Sequence, residues 1–239
     1  PFVRGLAEAQ NWNTPKDNLR EAMNKAGVDP SYAKPTLFFI RPGLFCLMAN
    51  HEYSVAGTNA DELTDATLRG RAEVHRLVRA LRATGGVWKD VRIVATPEHI
   101  GVREGRRIQG RYTVTTQDLV NGVSHDDAVC QVRFGVDVHS TDPNKNKGIA
   151  SQKARAKPYD IPYRALIAKD VNGLLMAGRN ISGDFIAHSS YRVTGDSVPM
   201  GEVAGIAAAL AAQSNRMPHE LPWPEIHQQR NALVGSERR

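Results

Sequence analysis

Side chains able to titrate, hydrogen-bond or hold charge crowd the stretch between Gly178 and Pro199, among them Arg179, Asn180, Asp184, His188, Ser189, Ser190, Tyr191, Arg192, Thr194 and Asp196. A plain connector needs no such density, and functional side chains concentrate on loops held by a rigid scaffold. Histidine takes up a proton from a hydroxyl or amine near neutral pH, and arginine holds a carboxylate or a developing oxyanion in a permanently charged fork. Proton transfer beside a bound anion is therefore the chemistry these residue types could do. A structural alternative stays open: His188 as a satisfied core hydrogen bonder, and Arg192 as a buried partner of Asp184 or Asp196.

Two apolar elements flank that stretch and must position it. Leu174, Leu175, Met176 and Ala177 form a short run closed by Gly178, which reads as a buried strand. From Gly201 to Ala212, small and apolar residues occupy nearly every helical face, which predicts a buried helix. Pro199 suits the first turn of that helix, Asp196 or Ser197 can cap it, and free N–H groups around Met200 and Gly201 then favour negative charge. Gly201 would let a planar ligand lie against the backbone, and Gly201 with Gly205 suggests close helix packing.

Upstream, Thr14-Pro15-Lys16-Asp17 starts a helix reaching about Lys25, and Thr36–Ile40 and Leu44–Asn50 form a hairpin about Arg41-Pro42-Gly43. Helical spacing of apolar residues from Asp61 to Ala83 predicts the longest amphipathic helix, stopped by Gly85-Gly86. Val91–Thr96, His99–Arg103 and Gly110–Val114 read as strands. Thr115 to Asp118 opens a short helix, Ala128–Phe134 is a strand, and Tyr159 to Leu166 is an extended approach to the Leu174 run. The tail from Pro218 is proline-interrupted and charged.

Composition narrows the function classes. The 239 residues, 41% hydrophobic and 23% charged, suit one large or two small globular domains, and two cysteines, Cys46 and Cys130, read as buried thiols. A net charge of +6 permits nucleic-acid contact, but the basic residues are interleaved with acids and no aromatic-basic stripe accompanies them, so no nucleic-acid partner is expected. No run approaches a membrane span, and PFVRGLAEAQ resembles neither a signal segment nor an initiator start; the expectations are a cytoplasmic location and a chain beginning within a longer protein. There is no G-x-S-x-G, no phosphate-binding G-x-x-x-x-G-K-[ST] and no C-x-x-C, while His51-Glu52 lacks a second histidine at 55. No metal ligands are assigned.

LLMAGRNIS, AHSSYRV and MGEVAGIAAALAA together resemble the C-terminal signature of the FAD-dependent oxidoreductase family of glutathione-reductase-type flavin fold, related to the fumarate reductase and succinate dehydrogenase flavoproteins. IGVREGRRIQGRYTVTTQDLVNG and GTNADELTDATLRGRAEVHRLVRALR are similar to its preceding blocks, so the resemblance spans about residues 44 to 215. It implies an α/β fold: an α+β substrate or cap domain over residues 1–157, then over 158–239 the last strand and helix of an FAD/NAD(P)-binding domain and a tail. It places Ala177, Gly178 and Arg179 beside the flavin of FAD, with Met200, Gly201 and Glu202 at the helix start. His188 and Arg192 match a His-x-x-x-Arg element that faces substrate, implying proton transfer by His188 and anion binding by Arg192. Ser189 replaces a frequent glycine there, and Gly195-Asp196-Ser197 departs from a small-residue–cysteine pattern.

The block from Gly101 to Ile108 has two readings: an Arg-lined wall for an anionic substrate, with Arg103 or Arg107 reaching the site, or an ion-pair lattice with Glu98, Glu104 and Asp118. The lattice is preferred. The family's dinucleotide-binding β-α-β unit, with its G-x-G-x-x-G, has no counterpart in these residues. The expectation is that FAD needs an N-terminal FAD-binding half, in the same precursor or as a separate chain, with assembly or oligomer formation covering the apolar helix. Hydride transfer from a small-molecule substrate to flavin is the expected activity; a non-catalytic binding or assembly subunit is the alternative.

Overall fold

The computed structural model describes residues 2–4, 13–145, 147–150 and 152–237, with side chains as far as 233. Much of the PFVRGLAEAQ opening thus lies outside the described residues. The protein is a mixed α/β chain that divides into two compact units, one of Pro1–Arg103 with His139–Ala150 and one of Glu104–Val138 with Ser151–Arg239.

In the first unit, β1 (Val3–Arg4) pairs in parallel with β2 (Thr36–Arg41), and β2 pairs antiparallel with β3 (Leu44–Met48). The hairpin turns at Gly43, whose φ of 76° is open to glycine at no steric cost. Helix α1 (Thr14–Lys25) carries proline in its first turn and buries Leu19 and Met23. Helix α2 (Ala60–Ala83) begins where the Asn59 side chain accepts the N–H groups of Asp61 and Glu62, and buries Leu77 and Leu81 against Leu19, Met23 and Ala49.

Two expectations fail in this unit. Cys46 is exposed, because it lies on β3 among exposed neighbours rather than in a two-sided core. Residues 91–103 form no strand. They are fastened to α2 instead: Arg71 donates to the Pro97 and Glu98 carbonyls, and the Ile100 N–H donates to Thr67 Oγ1 at 3.3 Å. Val94, 82% exposed, shows why its β-propensity wins no ladder: there is no surface to pack against.

The second unit is built on β4 (Ala128–Val132) and β5 (Tyr159–Pro162), which pair antiparallel, with all four residues of β5 buried. Helix α3 (Thr116–Asn121) precedes them; Thr115 and Asp118 form a reciprocal capping box and Gly122 closes it at φ 70°. The expected strand at Gly110–Val114 is reduced to isolated bridges, Gly110 with Ala168 and Val114 with Gly183. The Leu174–Ala177 run is likewise half-buried rather than a buried strand. It keeps one bridge, Leu175 with Ile167, because the opposing chain turns into a 3-10 helix at Tyr163–Ala165.

Helices α4 (Phe185–Tyr191), α5 (Thr194–Ser214) and α6 (Trp223–Glu237) complete the unit. Helix α5 starts earlier than expected and without a side-chain cap, so Asp196 and Ser197 lie inside it and Met200 and Gly201 fall in its second turn. Pro199 is tolerated because the carbonyl it leaves without a donor belongs to exposed Gly195. Nor is α5 buried all round. Met200, Val203, Ile206, Ala207 and Ala211 enter the core with Val129, Ile161, Tyr191 and Ile226, while Gly201, Gly205 and Ala208 are exposed. A Cβ at Gly201 or Gly205 would meet nothing within 4 Å, so neither glycine serves close packing here. Among the described residues no helix is long and apolar enough to cross a membrane.

Candidate functional site

The reactive stretch folds largely into helix. Asp184 makes α4 begin: its Oδ1 accepts the Ala187 N–H at 2.8 Å, and its Oδ2 accepts the Thr116 N–H at 2.6 Å and hydroxyl at 2.8 Å. One carboxylate thus caps α4 and joins it to the start of α3. Gly183 is fixed just before it, since a Cβ there would lie 2.4 Å from the Tyr191 hydroxyl. The other end of α4 is held by the chain after β4: Ser190 Oγ donates to the Phe134 carbonyl at 2.6 Å, and the Asp137 N–H donates to the Ser189 carbonyl at 3.3 Å.

These contacts aim His188 inward. Its side chain is 0% exposed, and the Tyr191 ring stands edge-on with centroids 5.5 Å apart. Around it the chain gathers charge. Glu104 Oε1 lies 3.3 Å from His188 Nδ1, 3.5 Å from Arg192 Nη1 and 3.9 Å from Arg107 Nη1. Arg192 also donates to the Asp137 carbonyl at 2.6 Å, and Arg107 Nε donates to the Gly183 carbonyl at 3.1 Å. The arginines are therefore placed by main-chain carbonyls as well as by the carboxylate.

Burial pushes the His188 pKa down to about 4, and the charges of Arg107 and Arg192 push the same way; the Arg179 main chain opposes them weakly. The ring is neutral at physiological pH, with a lone pair free to accept a proton. Asp196, by contrast, is lifted by burial to about 6. A neutral imidazole beside two guanidinium groups and one carboxylate can accept a proton from a group on a bound molecule while the guanidiniums hold negative charge on it.

The structure brings together His188, Arg192 and Arg107 of the residues singled out from sequence; Arg103 belongs to the other compact unit. Arg192 faces Glu104, whereas Asp184 spends its oxygens on α4 and Thr116. Of the expected ion-pair lattice the described contacts show Arg107–Glu104, while Asp118 caps α3 and accepts the Tyr112 hydroxyl, and Glu98 offers its carbonyl to Arg71. Glu104 is the residue whose position sequence reading undervalued. It counted as one of several lattice acids, and nothing local marks it as the carboxylate that meets His188.

The six residues expected near a flavin fall into one neighbourhood of the same unit. Ala177 and Arg179 flank Gly178, whose N–H meets Met200 Sδ at 3.3 Å, and Gly178 is buried at φ 77° with Ser197 Oγ 3.2 Å from where a Cβ would stand. Met200 is fully buried, so its side chain supports Gly178 from below. Glu202 is paired with Arg230 at 2.9 Å. The bare backbone at Gly201 and Gly205 is a surface a flat ring could approach, which fits the edge of a flavin. Among the described residues no group of three His, Cys, Asp or Glu side chains could hold a metal ion.

No curated protein and no solved structure gives a match. A family model described as FAD dependent oxidoreductase matches residues 5–232, nearly the whole chain, and so takes in both compact units, the charged cluster about His188 and the Gly178–Met200 neighbourhood. A neutral buried histidine between arginines and a glycine-bared helix face are thus parts of a flavin-dependent redox protein with FAD as its cofactor, and this chain belongs to the FAD dependent oxidoreductase family.

Proposed function

We propose that this chain supplies the acid–base and substrate-holding part of an FAD-dependent oxidoreductase that oxidises a small polar organic substrate by hydride transfer. FAD, when bound, supplies the hydride acceptor at flavin N5. His188 takes the proton that leaves the substrate hydroxyl or amine as the neighbouring C–H bond gives up its hydride. Arg192, with Arg107 behind it, holds the substrate's negative charge and excludes a competing cation. Residues 177–179 and 200–202 would line the flavin, with 158–239 as the returning part of the flavin domain and 1–157 as the substrate or cap domain. An N-terminal half carrying the dinucleotide-binding unit would hold the ADP portion, since no G-x-G-x-x-G occurs in these residues.

The observation that supports this reading best is the burial of a neutral His188 within 3.3 Å of a carboxylate that also faces two arginines. Co-expression with an N-terminal FAD-binding half should give a chain with a visible flavin spectrum. His188→Ala and Arg192→Ala should then abolish substrate-dependent flavin bleaching while flavin stays bound. No bound flavin with any such half would instead support a non-catalytic assembly role, and unchanged bleaching in both variants would remove the two residues from catalysis.

A further inference from the structure

We infer that Glu104 is the positioning residue of His188: its carboxylate keeps the single ring proton on Nδ1 and so leaves Nε2 as the basic atom. The inference rests on the reading of His188 as the proton acceptor. A neutral imidazole carries one N–H and one lone pair, and which nitrogen holds the proton is decided by what faces each. Glu104 Oε1 stands 3.3 Å from Nδ1, and that oxygen is buried although the rest of the side chain reaches solvent. A lone pair on Nδ1 at that distance would confront a carboxylate oxygen; a proton there is attracted to it. The contact lacks the alignment of a formed hydrogen bond, so the preference is electrostatic, acting over a short path in a dry setting where charges are poorly screened.

The other charged groups about the ring act differently. Arg107 and Arg192 disfavour any second proton, and the main chain of Arg179 also meets the ring. Glu104 also faces both arginines, so one carboxylate fixes the ring's proton and gathers the cations that would hold an anionic substrate. When Nε2 takes a proton during turnover, the same carboxylate faces the imidazolium and offsets part of the positive charge around it. Glu104 touches neither substrate nor cofactor in this scheme; it acts through His188.

The test is the ring tautomer, read by nitrogen NMR of the chain labelled in its histidine rings, with the His188 signals assigned by their loss in His188→Gln. The wild-type ring should carry its proton on Nδ1 at neutral pH. Glu104→Ala should move most of the population to Nε2–H, and Glu104→Asp should restore part of the Nδ1–H form. Should the alanine variant fail to fold, Glu104→Gln keeps the shape and should still lower the Nδ1–H fraction severalfold. A wild-type ring protonated on Nε2, or a tautomer unchanged in the folded Glu104 variants, overturns the inference. Flavin bleaching tests the redox reading separately, since the tautomer is measured without cofactor or substrate.

Discussion

Acidification should weaken this protein over a pH window that His188 sets. In the folded chain the ring is 0% exposed and its pKa is pushed down to about 4 from an ordinary 6.5. Between those two values the unfolded state binds the proton and the folded state does not. Stability is therefore fully present above about 6.5, declines as pH falls, and the contribution is lost below about 4. At roughly 1.4 kcal/mol per pKa unit, the shift corresponds to about 3 kcal/mol. Asp196 acts in the opposite sense: its carboxyl, lifted to about 6 from 3.8, takes up a proton in the folded chain before the unfolded one and adds stability as pH falls. Because Asp196 is only partly buried, solvent screening reduces that offset to about 1 kcal/mol, leaving a net loss of about 2 kcal/mol for these two groups. Urea unfolding of the wild-type chain, His188→Gln and Asp196→Asn, in steps from about pH 7.5 to about pH 4.5, resolves the two terms. Relative to wild type, His188→Gln should flatten the acid slope and Asp196→Asn should steepen it, whatever either does to stability at neutral pH. Identical slopes for wild type and His188→Gln would refute the argument, because they would mean that the buried ring takes up its proton at the same pH folded and unfolded.

Three other perturbations probe how the site is positioned. Asp184→Ala removes the α4 cap and strands the Thr116 N–H, so it should cost about 2–4 kcal/mol in chemical unfolding, with a loss under about 0.5 kcal/mol counting against its bridging role. Gly183→Ala drives a methyl into Tyr191, 2.4 Å from its hydroxyl, and should cost about 1–3 kcal/mol; crystals or near-UV spectra showing an undisturbed Tyr191 would contradict this. Gly201→Ala and Gly205→Ala should each raise the stability of the isolated chain by about 0.5–1 kcal/mol, since the new methyls meet open space on a helix. If the bare face receives a flavin, the same substitutions should weaken flavin retention in the assembled enzyme, and equal retention would argue that the ring docks elsewhere.

Legibility followed the range of the interaction. Asn59 before α2, Thr115 and Asp118 at α3 and Gly43 in the hairpin act within a few residues, so their elements lie where the sequence put them. Strands need partners, and there the reading failed: Val91–Thr96 and Leu174–Ala177 have strand-like composition, but one is tied to α2 by side chains and the other keeps a single bridge. By local rules Pro199 and Asp196 suggest a later start to α5, but the Ser197 N–H to Val193 carbonyl bond begins the helix earlier.

The residue order alone determined the family, since its motif blocks are recognisable without coordinates, and it singled out His188 and Arg192 as types suited to proton transfer and anion binding. The tertiary structure decided what surrounds them. Only folding carries Glu104 and Arg107 from a distant segment to the inner face of α4, buries the ring so that it stays neutral, and leaves Gly201 and Gly205 facing outward. The physical reason is that helix caps and turns are settled by neighbours in the chain, whereas desolvation and the meeting of charges depend on groups that sequence separation does not constrain.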